Sequence, residues 1–297
     1  MRRTRETRSR SGADLLGVSV VVVLLVVAVL IVAVSKTGPR HGVAAVTRPT
    51  TRTVGDGPVP TPTVSQPALA PLLPSTSTPL RVLEIGDSLG IDLGDQLEAQ
   101  LDASAVASTM VASVGDSGLS NTTYLDWPRH LAGLLATDRP EIVVIFIGAN
   151  DDQGLDVNGI ASAPGTLAWV AAYSRRVDDL VHEATGSGAR VVWVGMPLMA
   201  NSALNAAMQR EDSIYARETA SVSAALYVSS VAALDPSGVY ETNGEDLSGR
   251  QAALRTPDGV HLTPAGAGVL ARAVIRALDQ RWDVALGPPT APAPTTN

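Results

Sequence analysis

The 297-residue chain contains no cysteine, which excludes disulfides, thiolate catalysis and cysteine-ligated zinc. Aromatic residues make up only 3%, and the formal net charge is −7. Five arginines stand against Glu6 and Asp14 in the first 14 residues, so the remainder of the chain carries −10. An acidic chain with few aromatics lacks the basic face that attracts phosphate, so nucleic acid is not an expected partner. Missing cysteines do not fix the compartment. The distribution of apolar residues says more.

Hydrophobic residues make up 45% of the chain, and part of that total sits in one N-terminal run. Leu15 to Val34 is 20 residues without a charge. As a helix, that length spans a hydrocarbon core of roughly 30 Å. Arg2, Arg3, Arg5, Arg8 and Arg10 precede the run, and only Lys36 and Arg40 follow closely. The positive-inside rule places the N-terminus in the cytoplasm and the rest of the chain outside the plasma membrane. A cleaved signal peptide would have a shorter apolar region, of about 7–15 residues, ending at a small-x-small site. Val32-Ala33-Val34-Ser35 matches such a site poorly, so an uncleaved anchor is expected.

The organisation expected is therefore a basic tail over 1–14, a transmembrane anchor over 15–34, a spacer over 35–78, a catalytic domain over 79–286 and a tail over 287–297. Thr37 to Thr78 is rich in Pro, Thr, Ser and Val with no apolar period, as an extended, disordered spacer would be. The tail repeats that composition.

Within 79–286, apolar runs that read as buried strands alternate with segments of helical period. Leu80–Ile85, Val106–Val114, Glu141–Ile147, Arg190–Val194 and Ala225–Val228 are the expected strands. Leu89, Leu93, Leu97 and Leu101 recur at helical spacing. Leu131–Leu135, Thr166–Ala184, Ser202–Ala224 and Pro264–Trp282 are the other expected helices. This alternation predicts an α/β fold whose parallel sheet is covered on both faces. Function in such sheets gathers beyond the carboxyl ends of the strands.

Three polar motifs fall at those ends. Gly86-Asp87-Ser88-Leu89 closes the first strand and opens the first helix. Ser88 there either exposes a hydroxyl above the sheet or merely caps the helix. A second Gly-Asp-Ser, at 115–117, makes Ser117 a rival, although no strong amphipathic helix begins after it. Gly148-Ala149-Asn150-Asp151 follows the strongest strand. The Asn150 amide can donate to a developing oxyanion, and Gly118 lets a backbone N–H approach the same point. A polar turn is the plainer reading of that segment. Asp258-Gly259-Val260-His261 precedes the last helix, and there Asp258 can reach the imidazole nitrogen that faces away from Ser88. The chain has four histidines. His41 lies in the spacer, His182 on a polar helix face and His130 after Trp127-Pro128-Arg129, which leaves His261 as the best-placed base.

Taken together and in this order, the motifs resemble the blocks of the SGNH (GDSL-type) hydrolases. Gly86-Asp87-Ser88-Leu89 is similar to the first block and Gly118 to the glycine of the second. Gly148-Ala149-Asn150-Asp151 is similar to the third block, and Asp258-Gly259-Val260-His261 to the fifth. The stretch around Tyr173–Val177, together with Val192–Pro197 and Asp258–Thr263, also resembles the often-exported bacterial subgroup called DUF459. The resemblance implies a flavodoxin-like three-layer α/β/α sandwich. It implies Ser88 as nucleophile, His261 as base and Asp258 as its orienter. It also implies the Ser88 N–H, the Gly118 N–H and Asn150 as oxyanion donors, with Gly115 a nearby rival to Gly118.

The expected activity is hydrolysis of O-acyl esters, acetyl among them, on envelope glycans outside the membrane. An O-acyltransferase using the same triad and a non-catalytic envelope-binding module are the alternatives. Neither a metal nor another cofactor is implied, since Asp151 and Asp152 lack a third partner at ligand spacing.

Overall fold

The computed structural model describes residues 69, 71–284 and 286. The expected anchor over 15–34 and the tail over 287–297 lie outside the described residues. Among the described residues, no helix is long and apolar enough to cross a membrane.

The chain order is β1 (Leu80–Gly86), α1 (Ser88–Asp102), β2 (Ala107–Val111), α2 (Trp127–Asp138), β3 (Ile142–Phe146), β4 (Leu155–Val157) and β5 (Ile160–Ser162). It continues with α3 (Leu167–Gly186), β6 (Arg190–Val194), α4 (Ser202–Ala220), β7 (Ala225–Val228), α5 (Ser230–Leu234), β8 (Asn243–Glu245), β9 (Gln251–Ala253) and α6 (Pro264–Trp282). Five strands form one parallel sheet in the order β2-β1-β3-β6-β7. The order reverses direction once, after β2. Right-handed crossovers then put α1 on one face of the sheet and α2, α3 and α4 on the other, and α6, which follows the last strand, packs on the α1 face. The contacts agree, since α1 packs on α6, α2 on α3, and α3 on α4. This is the flavodoxin-like arrangement, with its switch point between β1 and β3.

The composition of the central strands explains their place. Every residue of β3 and β6 is buried, as β-branched runs covered on both faces must be. Asp126 caps α2 by accepting from Arg129 N, so that helix begins at Trp127, four residues before the expected start. Trp127 is itself buried. The expected strand Val106–Val114 is formally shorter, but Ala112 N and Val114 N still donate to the Glu84 and Gly86 carbonyls. Helix α4 stops at Ala220, where Ser221–Ala224 turns the chain into β7.

Helix α5 and the two hairpins, β4–β5 and β8–β9, were not expected. Each strand of those hairpins is three residues long, too short for a period to show. At the near end of the expected spacer, Ser75 and Thr78 pair their backbones and Leu72 packs against the core.

Candidate active site

Strand β1 must come very close to β3 where it ends. A Cβ at position 86 would collide with the Phe146 carbonyl oxygen, so only glycine fits there. The next residue, Asp87, caps α1 by accepting from Leu89 N at 2.9 Å. Its second oxygen accepts from Gly148 N at 2.9 Å and Ala149 N at 2.8 Å. Burial raises the Asp87 pKa from 3.8 to about 6, opposed by these three backbone donors. Asp87, not Ser88, is therefore the capping residue. Ser88 is the first helical residue, its N–H has no intrahelical partner, and its hydroxyl is left for other work.

That hydroxyl lies 2.9 Å from Nε2 of His261. On the other side of the ring, Nδ1 lies 2.7 Å from Asp258 Oδ2. The turn that carries both groups is tightly built. Asp258 Oδ1 accepts from Thr256 Oγ1 at 2.6 Å, Val260 N at 2.8 Å and His261 N at 3.1 Å. Gly259 adopts φ +73°, and a Cβ there would strike the Ala200 methyl. The Thr256 hydroxyl and then His261 hold the Asp258 carboxyl well below the usual carboxylate range. A further carboxylate, Asp92, lies one turn along α1 from Ser88 and accepts from Leu262 N at 3.0 Å. It ties α1 to the residue after His261.

The segments carrying Gly118 and Asn150 are joined to each other. Asn150 Nδ2 donates to the Ser117 carbonyl at 2.9 Å, which leaves its second N–H for another acceptor. The Asp151 carboxylate is fully buried. It accepts from Leu119 N at 2.9 Å, Ser120 N at 2.6 Å and the Tyr173 hydroxyl at 2.6 Å. Burial raises its pKa, against the pull of those donors. Gly118 rests against this carboxylate so closely that a Cβ would collide with Oδ1.

The fold thus brings Ser88, His261 and Asp258 into one hydrogen-bonded line and stitches the Gly118 segment to Asn150-Asp151. The rival residues fall elsewhere. Ser117 is fully buried, donates to the Gly86 carbonyl at 3.4 Å and accepts from Trp127 Nε1 at 3.2 Å. His130 meets the Trp127 ring edge-on at 5.5 Å, and His182 pairs with Asp178 at 3.1 Å. His41 lies outside the described residues. Sequence reasoning missed the buried carboxylates of Asp87 and Asp151 and the Tyr173 hydroxyl. The first two sit inside the recognised motifs, and the signal available was a charged residue shortly after a buried strand, next to it for Asp87 and five residues on for Asp151.

A line of hydroxyl, imidazole and carboxylate at these distances can activate the hydroxyl as a nucleophile. Among solved structures, the chain is similar to a Slackia heliotrinireducens protein described as a candidate SGNH hydrolase (21% identity, TM-score 0.46, covering 67% of this chain and 99% of that one). It is also similar to the psychrotrophic esterase EstA from Pseudoalteromonas sp. (17%, 0.47, 67% and 97%). A third is Axe2, an acetyl xylan esterase from Geobacillus stearothermophilus (17%, 0.45, 67% and 94%). No curated protein sequence matches the chain. Residues 81–277 match the family described as "Protein of unknown function (DUF459)", and the chain belongs to that family.

Proposed function

We propose that this chain is an SGNH-type serine ester hydrolase. Ser88 attacks an ester carbonyl while His261 Nε2 takes its proton. Asp258 fixes the imidazole tautomer and stabilises the imidazolium. The oxyanion is received by the Ser88 N–H at the start of α1, the Gly118 N–H and the free N–H of Asn150. His261 then returns its proton to the departing alcohol, and water resolves the acyl-enzyme in a second cycle of the same groups. The observation that carries this reading is the Ser88–His261–Asp258 line, at 2.9 Å and 2.7 Å.

The substrate we propose is an O-acyl ester, acetyl above all, on a glycan of the cell envelope. This part of the proposal rests on location. The uncharged run 15–34 with five arginines ahead of it anchors the chain in the plasma membrane, with the N-terminus cytoplasmic and the catalytic domain outside.

Hydrolysis of p-nitrophenyl acetate by the full chain, beside Ser88→Ala and Ser117→Ala, tests the reaction. Turnover in the wild type and in Ser117→Ala, with Ser88→Ala inactive, is the expected result. A folded wild type with neither turnover nor labelling by a fluorophosphonate refutes it. Loss of acetyl from O-acetylated glycan, rather than its retention on an added acceptor, separates hydrolysis from acyl transfer.

A further inference from the structure

Two buried tyrosines that take no part in the proposed chemistry lie behind its oxyanion site. The Tyr173 and Tyr215 hydroxyls are 2.7 Å apart, and either oxygen could donate. The direction follows from the neighbours. Tyr173 gives its only proton to Asp151 Oδ2 at 2.6 Å, so Tyr215 must be the donor to Tyr173. The hydrogen bonds therefore run one way, from Tyr215 to Tyr173 to Asp151. The same carboxylate also accepts from Leu119 N at Oδ2 and from Ser120 N at Oδ1. Aligned hydrogen bonds in a low-dielectric interior polarise and strengthen one another.

The rings are held as firmly as the hydroxyls. Tyr173 stacks on Trp169 at 4.7 Å with planes 8° apart, and Tyr215 stacks on Trp193 at 4.8 Å. Both tyrosines are fully buried. Their far end closes on Gly148, whose φ is +146°. A Cβ there would collide with the Tyr215 hydroxyl and lie 3.3 Å from Glu211 Oε2. The relay thus touches both segments that supply the proposed oxyanion donors. It reaches Gly118 through the Leu119 and Ser120 amides, and Asn150 through its neighbours Gly148 and Asp151.

We infer that Tyr173, backed by Tyr215 and acting through Asp151, is a positioning residue that holds the Gly118 and Asn150 donors at the point where the oxyanion forms. The inference rests on the proposed hydrolase reading, and it concerns how that site is held rather than which residues react. Without the Tyr173 hydroxyl, Asp151 keeps its two amide partners, but Oδ2 is left with the Leu119 amide alone. The 118–120 segment can then shift relative to Ser88 while the triad stays intact.

Tyr173→Phe keeps the ring and its stacking and removes only the hydroxyl. Since losing an oxyanion donor outright costs about 10²–10³-fold in kcat, misplacing one is expected to cost about 10–30-fold. The loss should fall on kcat, with KM changed less than about twofold, because the donors act on the transition state. Affinity for a boronic acid that forms a tetrahedral adduct with Ser88 should fall by the same factor. Tyr215→Phe should cost less, and adding it to Tyr173→Phe should cost little further, since the Tyr215 hydroxyl reaches Asp151 only through Tyr173. Amide exchange at Leu119 and Ser120 should quicken in Tyr173→Phe. A variant with lowered melting temperature but unchanged kcat and boronate affinity overturns the inference, as does unchanged exchange at those two amides. Absence of turnover in the wild type would instead refute the hydrolase reading, and the exchange measurement would still decide whether the relay holds the segment.

Discussion

Replacing Asp258 separates what a carboxylate does for the imidazole from what it does for the turn. Asp258 makes a charge-assisted bond to His261 Nδ1 at 2.7 Å, and its side chain is 50% exposed. Hydrogen bonds to charged groups contribute about 1.5–3 kcal/mol, which is roughly a tenfold to 150-fold effect on rate if felt fully in the transition state. Exposure lets water take the vacated place beside Nδ1, so Asp258→Ala should fall toward the lower end, about 10–30-fold in kcat/KM. Asp258→Asn should be worse than Ala. Its oxygen can still accept from Thr256, Val260 and His261, which points its NH2 group at Nδ1. That nitrogen must then be the acceptor and Nε2 must carry the proton, so the ring cannot take a proton from Ser88. A loss of about 10³-fold or more follows for Asn. The assay is p-nitrophenyl acetate hydrolysis, with Ser88→Ala as the floor. If Asn retains more activity than Ala, the tautomer argument fails. If Ala falls to the Ser88→Ala floor, the exposed carboxylate is worth more than solvent should allow.

Ser117→Ala should keep activity within about threefold and lose about 1–2 kcal/mol of stability in urea titrations, because the buried Trp127 indole loses its acceptor. Gly118→Ala should lower kcat by about 10²-fold as the new methyl displaces the Asp151 carboxylate, while Gly115→Ala, whose Cβ would meet only Ile91 at 3.9 Å, should cost less than threefold. Equal losses at the two glycines would remove the reason to prefer Gly118. Asp87, raised to about 6 against an ordinary 3.8, binds its proton more tightly in the folded state than in the unfolded one. Its contribution to stability is therefore complete below about pH 4 and is lost as pH rises to about 6, an effect of order 3 kcal/mol. The stability gap between wild type and Asp87→Asn should narrow by that amount across the window. The Gly148 and Ala149 amide shifts should titrate with a midpoint near 6, and shifts flat from pH 4 to 8 would refute the assignment.

The strands were the most legible part of the molecule. Arg190–Val194 and Ala225–Val228 occupy the spans their apolar runs suggest, and Pro264–Trp282 begins at its proline. Burial on both faces forces continuous apolar runs, and these survive without any tertiary information. Where boundaries moved, side-chain caps decided. Asp126 lengthened α2, and the turn after Ala220 cut α4 short. The short hairpins β4–β5 and β8–β9 left no periodic trace, since a three-residue strand shows at most one alternation.

At the site, legibility followed how local each residue's surroundings are. Ser88, Asp258 and His261 stand in short motifs because each must project from a strand end or turn, where local sequence governs conformation. Asp87 and Asp151 stand in the same motifs but act by holding backbone from distant segments, across 61 and 32 positions of sequence. Local spacing carries no record of such partners, and an aspartate after a strand reads as turn chemistry until the fold closes over it. Close packing also explains two glycines of the site. Gly86 admits the Phe146 carbonyl and Gly118 admits the Asp151 carboxylate, so both are needed for close approach by a neighbour rather than for a turn. A buried carboxylate that accepts several amides is costly to desolvate, and it stays only where those amides must be aimed. In this fold the aimed amides are those of Gly148, Ala149, Leu119 and Ser120, the residues that border both proposed oxyanion donors.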